Sequence, residues 1–126
     1  MNIMYISNNT SLYGANRSML DIIRNLNPLK YKAYVLIPAE KGGIYEELEQ
    51  SGIQFRAIHM YSSVHDTGSL NNTYERMRKL LKVRDNVIAI KVIMDYITAW
   101  NIDIVHTNTA VINLGAIAAF LTKTKP

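Results

Sequence analysis

Short β-rich runs alternate with stretches of helical spacing along almost the whole chain. No other feature restricts the fold as much. Asn2 to Ser7 is a β-rich run broken by Ser7-Asn8-Asn9-Thr10, and Ala15 to Leu26 then carries Met19, Leu20, Ile22, Ile23 and Leu26 at helical intervals. Asn27-Pro28 ends that helix, because the residue before a proline is pushed out of the helical region. Tyr31 to Ile37 reads as a second strand stopped by Pro38, Ile44 to Gln50 as a helix opened by Gly42-Gly43 and closed by Ser51-Gly52, and Ile53 to Ile58 as a third strand. An irregular polar stretch follows from His59 to Leu70. Asn71 to Val83 reads as a basic amphipathic helix, Asp85 to Trp100 as a longer apolar one, Ile102 to His106 as a fourth strand and Val111 to Leu121 as a last helix. The order β-α-β-α-β-α-α-β-α predicts an α/β fold: an open parallel sheet with helices on both faces, Rossmann-like, in a single domain spanning residues 1–126.

Composition removes several classes of function. At 126 residues with 48% hydrophobic and 19% charged residues, the chain can bury a real core and is not of disordered type. It has no cysteine, so disulfides, thiolate metal sites and cysteine nucleophiles are excluded. The amino terminus has no signal-peptide pattern, and Val87 to Trp100 and Ala110 to Leu121 are shorter than the roughly 20 residues a bilayer span needs. These features predict a cytoplasmic location. The net charge of +4 and the pI near 9.4 permit an anionic ligand or surface without choosing one. No zinc finger, aromatic RNA-binding strand or recognition-helix pattern is present, so nucleic acid is not an expected partner.

In an open parallel sheet, ligands gather outside the carboxyl ends of the strands. Four segments fall there: Asn8 to Asn16, Pro38 to Gly43, His59 to Thr67 and His106 to Thr109. The first leaves a strand through a polar loop, turns on Gly14 and enters a helix with Asn16 and Arg17 expected to be exposed in its first turn. Amide groups at a helix start favour anions, and a plain turn needing positive φ is the alternative for Gly14. Neither G-x-G-x-x-G nor a P-loop is present. His59 and His106 sit at strand ends with only Asp66 as a nearby acidic partner, so no metal and no cofactor is expected. For His106 a hydrogen-bonded structural role stands beside the functional one. In "NNTYERMRKLLKVRD", Tyr74, Met77, Leu80 and Leu81 make one face, while Arg76, Arg78, Lys79, Lys82 and Arg84 load the other. Such a helix suits an anionic membrane surface, with Arg76, Arg78, Lys79 and Lys82 as candidate contacts, or packs on the sheet with its basic face in solvent.

Together "YGANRSMLDIIRNL", "NIDIVHTNT" and "AVINLGAIAAFLTKTKP" resemble the amino-terminal half of a GT-B fold glycosyltransferase of group 1, or family 4. That family carries a glycine-rich turn, often Gly-Gly-Ala-Glu-Arg, after its first strand, and a later strand reading Asp-Val/Ile-Val-His with a further His or Asn. Here the first glycine of the pair is Tyr13, the usual acidic residue is Asn16, and the second histidine is Asn108.

The resemblance implies a retaining transferase that moves a sugar from a nucleotide-sugar donor to a glycan or lipid-linked acceptor without a metal, in carbohydrate or cell-envelope biosynthesis. It assigns Tyr13, Gly14, Ala15, Asn16, His106 and Asn108 to substrate binding and leaves the catalytic residues unknown. This chain corresponds to the acceptor-side domain; the carboxy-terminal nucleotide-sugar domain, with its Glu-x7-Glu motif, is absent from it. The chain alone is therefore expected to be inactive, since the groups that stabilise the departing diphosphate belong to the other half. It is also expected to be cytoplasmic, with peripheral contact at the inner face of the membrane. The competing readings are a non-catalytic sugar- or nucleotide-binding module and a membrane- or protein-interaction domain.

Overall fold

The computed structural model describes residues 1–61, 73–108 and 113–126. Eight elements follow in order: β1 (Asn2–Ile6), α1 (Ala15–Asn25), β2 (Lys32–Pro38), α2 (Gly43–Ser51), β3 (Gln54–Ile58), α3 (Thr73–Ala99), β4 (Ile104–Thr107) and α4 (Leu114–Thr122). The four strands form one parallel sheet in the order β3-β2-β1-β4. The expected open parallel sheet with helices on both faces is what the chain forms.

Strand periodicity builds both cores at once. Alternate residues of a strand point to opposite faces, and a parallel sheet covered on both sides needs apolar residues at nearly every central position. Ile3 and Tyr5 of β1 with Val35 and Ile37 of β2 therefore meet Met19, Leu20 and Ile23 of α1 and Ile44 and Leu48 of α2. Met4, Ile6, Tyr34 and Leu36 face the other way, against Ala89, Ile93 and Ile97 of α3 and Leu114, Ala118 and Ala119 of α4. Because β4 lies on the opposite side of β1 from β2, right-handed crossovers put α3 and α4 on the face that α1 and α2 leave open. The direction of strand succession thus reverses between β1 and β4. Such a reversal of strand order is where ligands bind in open parallel sheets.

One expectation is corrected. The basic and apolar helices expected at Asn71–Val83 and Asp85–Trp100 are a single 27-residue helix, α3, about 40 Å long at 1.5 Å per residue. Val83-Arg84-Asp85 contains neither glycine nor proline, so nothing interrupts the backbone there. The change from basic to apolar composition marks a change in what the helix faces. Among the described residues no helix is long and apolar enough to cross a membrane. After α4, Lys125 bridges in parallel to Ile104, and its carbonyl accepts from the Val105 amide at 2.8 Å, so the tail lies along the free edge of β4.

Candidate functional site

The loop after β1 folds around one buried asparagine. Asn16 is 1% exposed, where the sequence pattern suggested an exposed first turn; Arg17 is exposed as expected. The Asn16 amide nitrogen donates to the Asn9 carbonyl at 3.0 Å, the Asn9 side-chain oxygen at 2.8 Å and the Ser11 carbonyl at 2.7 Å. Its side-chain oxygen accepts from the Ser7 hydroxyl at 2.5 Å and from Asn108 Nδ2 at 3.1 Å. The two backbone carbonyls, which can only accept, dictate which end of the amide is nitrogen. The partner set also gives a physical reason for an amide at this position. A carboxylate would bring a second oxygen against three oxygens that can only accept.

The surrounding residues extend the same network. Ser7 is buried, and its amide donates to the Leu36 carbonyl at 3.0 Å. Asn9 Oδ1 receives the Ser11 amide at 3.1 Å and the Ser11 hydroxyl at 2.8 Å, an Asx turn that shapes the loop. Buried Thr10 accepts the Ile44 amide at 3.2 Å, which ties the loop after β1 to the start of α2. A Cβ added at Gly42 would come within 2.3 Å of the Thr10 carbonyl oxygen, so only glycine lets the two loops approach this closely. From the other side, the Asn108 amide donates to the Ile6 carbonyl at 2.9 Å. Three loops that are distant in sequence therefore meet around Asn16.

Gly14 turns the chain into α1 at φ 55° and ψ −120°, a conformation that residues with a side chain rarely adopt. No atom lies within 4 Å of a Cβ built there, so backbone conformation rather than crowding selects the glycine. α1 begins with no side-chain cap and no acidic residue in its first turn, which leaves the positive end of its dipole unbalanced. Tyr13 stands beside it, 81% exposed, and Ala15 is half-buried.

His106 occupies the third position of β4, its ring 5.2 Å from that of Tyr5, its registered partner on β1. It is exposed on the α1–α2 side of the sheet, whereas Asn108 lies at the loop itself. Burial pushes the Tyr5 phenol above its ordinary pKa. A cavity of about 230 Å³ opens at the ends of β2 and β3, lined by Pro38, Ala39, Glu40, His59, Met60 and Tyr61. Among the described residues no three His, Cys, Asp or Glu side chains come together as a metal site would require. Asp66 and Thr109 lie outside the described residues.

The structure thus joins Asn16 and Asn108 directly, with Tyr13, Gly14 and Ala15 on the same loop, and sets His106 apart on the strand. Thr10 and Gly42 fell within the expected edge segments Asn8 to Asn16 and Pro38 to Gly43 without being singled out, and Ser7 lay just outside them. Ser7 closes an otherwise apolar run and was the one available signal.

No protein-family model matches the chain, and neither does any curated protein sequence. Solved structures do match it. MurG of Acinetobacter baumannii superposes with a TM-score of 0.69 at 15% identity, over 98% of this chain and 33% of MurG. A glycosyltransferase from Rickettsia africae ESF-5 superposes with a TM-score of 0.63 at 18% identity, over 98% of this chain and 28% of that protein. The chain therefore has the fold found in part of these glycosyltransferases, and it spans about a third of their length or less.

Proposed function

We propose that this chain is the acceptor-side domain of a glycosyltransferase. It works with a carboxy-terminal domain that binds a nucleotide-sugar donor, and the sugar passes to a glycan or lipid-linked acceptor with retention of configuration. The observation that carries this reading is the contact of Asn16, on the loop that turns at Gly14, with Asn108 at the β1–β4 reversal point, in a fold that two glycosyltransferases share over 98% of the chain. Retention follows from the resemblance to family 4 alone.

In this reading the Asn16 network is scaffold. Its hydrogen-bonding groups are turned toward one another, so it holds the loop and does not itself touch sugar. Contact falls to the exposed Tyr13 ring, the amides around Gly14 and Ala15 at the uncapped start of α1, and the edge of Asn108. His106 contributes from the adjoining face beside Tyr5. The departing diphosphate is stabilised by the partner domain, so the chain alone does not turn over.

The test is acceptor-dependent release of nucleoside diphosphate by the full-length protein that carries this chain, measured with a panel of nucleotide sugars. Tyr13→Ser is expected to raise the acceptor KM several-fold and to leave the donor KM unchanged. No transfer from any donor would reject the reading, and so would equal changes in both constants. The anomeric configuration of the product, read by proton NMR, decides retention separately.

A further inference from the structure

The loops around Asn16 occupy one half of the sheet's carboxyl edge. The other half, at the ends of β2 and β3, holds two adjoining cavities. The one of about 230 Å³ has His59 and Tyr61 in common with a second of about 400 Å³, whose lining also includes Asp85 and Ile88 of α3.

Backbone contacts fix the walls in advance of any ligand. The Ala39 amide donates to the Ile58 carbonyl at 3.0 Å, and the Tyr45 hydroxyl donates to the Pro38 carbonyl at 3.2 Å. Three residues beyond β3, the Tyr61 amide donates to Asn86 Oδ1 at 2.9 Å, and Asn86 Nδ2 donates to the Tyr61 carbonyl at 3.3 Å. Tyr61 is thus held to α3 through its backbone, with Lys82 Nζ 5.9 Å from the centre of its half-exposed ring.

Polarity separates this half of the edge from the other. Around Asn16 the hydrogen-bonding groups are turned on one another. Here the Glu40 carboxylate and the His59 imidazole are exposed, and among the described residues neither makes a hydrogen bond or an ion pair. Both line the smaller cavity together with Pro38, Ala39 and the Tyr61 ring. A few convergent polar groups beside apolar and aromatic surface are what a small-molecule site requires. A sugar ring matches that mixture, since its hydroxyls pair with carboxylate and imidazole while its C–H face packs on an aromatic ring.

Charge selects among sugars. Asp85 is paired with Arg84 at 3.4 Å, but no cation of the described structure stands against Glu40. An anionic ring would meet like charge there, and a neutral one would not. Position ties the cavities to the loop after β1. β3 lies two strand spacings from β1, about 10 Å. Glu40 comes two residues before Gly42, which packs directly on Thr10.

We propose that these cavities form a subsite for a neutral sugar unit of the acceptor, distinct from the unit that receives the transfer. Glu40 and His59 bond its hydroxyls and Tyr61 packs on its ring. The acceptor is then a glycan of at least two units, running from Tyr13 and Gly14 across the Thr10–Gly42 contact. Its role as acceptor rests on the glycosyl-transfer reading; the binding of sugar in the cavities does not.

Two experiments keep those claims apart. In the first, methyl glycosides of glucose, galactose, mannose and N-acetylglucosamine are titrated into the isotope-labelled chain and followed by amide NMR, with glucuronate as the anionic control. At least one neutral glycoside is expected to shift the Glu40, His59 and Tyr61 amides, and glucuronate to leave them in place. Tyr61→Ala and Glu40→Gln should each weaken that binding about fivefold, with circular dichroism and the urea midpoint confirming that both remain folded. The proposal is overturned if no neutral probe shifts these amides, if the variants bind as tightly as the parent, or if glucuronate binds equally well. In the second, Tyr61→Ala in the full-length protein should raise the KM of a disaccharide acceptor several-fold and leave that of the matching monosaccharide unchanged. An equal rise for both would put Tyr61 at the point of transfer and overturn the subsite. No transfer from any donor rejects the acceptor role together with the glycosyl-transfer reading, while the amide shifts alone decide whether the cavities take sugar.

Discussion

The loop around Asn16 and the first half of α3 lie at the same edge of the sheet and invert the usual rule of burial in opposite senses. One buries polar side chains at Ser7, Thr10 and Asn16; the other exposes Met77, Leu80, Leu81, Val87 and Ile88. Buried polar groups persist only when hydrogen-bonded, and the partners of Asn16 meet that condition at both ends of its amide. Exposed apolar groups on a monomer need no explanation singly. The loop looks inward, and its polarity serves folding. The helix looks outward, and its apolar residues share that side with the exposed Arg84.

The largest expected effect comes from breaking the loop. Asn16→Leu removes the groups that five partners use and should lower unfolding free energy by about 2 to 4 kcal/mol, read from the urea midpoint. Asn16→Asp keeps the shape but places a carboxylate oxygen against the Asn9 and Ser11 oxygens. Its cost should grow as pH rises through the carboxyl titration, because the folded state favours the protonated acid.

Within α3 the contrast can be measured on one element. Ile93→Ala empties a site buried on the sheet and should cost about 2 to 4 kcal/mol. Leu80→Ala, thirteen residues earlier on the same helix, should change stability by less than about 0.5 kcal/mol. Equal losses would mean that the first half of α3 packs as its second half does, and the comparison would fail.

Smaller effects sharpen the picture of the loop. Gly14→Ala meets no neighbouring atom but forces a side chain onto φ 55° and ψ −120°, which should cost about 1 to 3 kcal/mol in thermal or urea unfolding. Asn108→Ala removes one donor from a half-buried site and should cost about 1 kcal/mol. A loss at Asn108 as large as that at Asn16 would move the centre of the network to β4.

Much of the fold was readable in advance. Period-2 and period-3.6 patterns act locally, so the strands ending at Pro38 and Ile58 and the helix opened at Gly43 were found within a residue or two. Handedness of the crossovers then put the helices on both faces of the sheet. The site was legible only in part. Gly14 announced a turn, and Asn108 came from the resemblance, but the contact between Asn16 and Asn108 spans 92 residues and no local pattern encodes it. Asn16 was expected in solvent because a polar residue in a first helical turn is usually exposed. Three acceptors brought in by the loop made its burial favourable instead.

α3 shows the same division more sharply. Its amphipathic pattern, its basic charge and its lack of a helix breaker are properties of the sequence, and they determine that a helix forms with an apolar face at Met77, Leu80 and Leu81. Periodicity reports that residues share a face but carries no information about what that face meets. Where the sheet ends is a tertiary fact, and it decides that Ile93 enters a core while Leu80, on the opposite side and nearer the edge, does not.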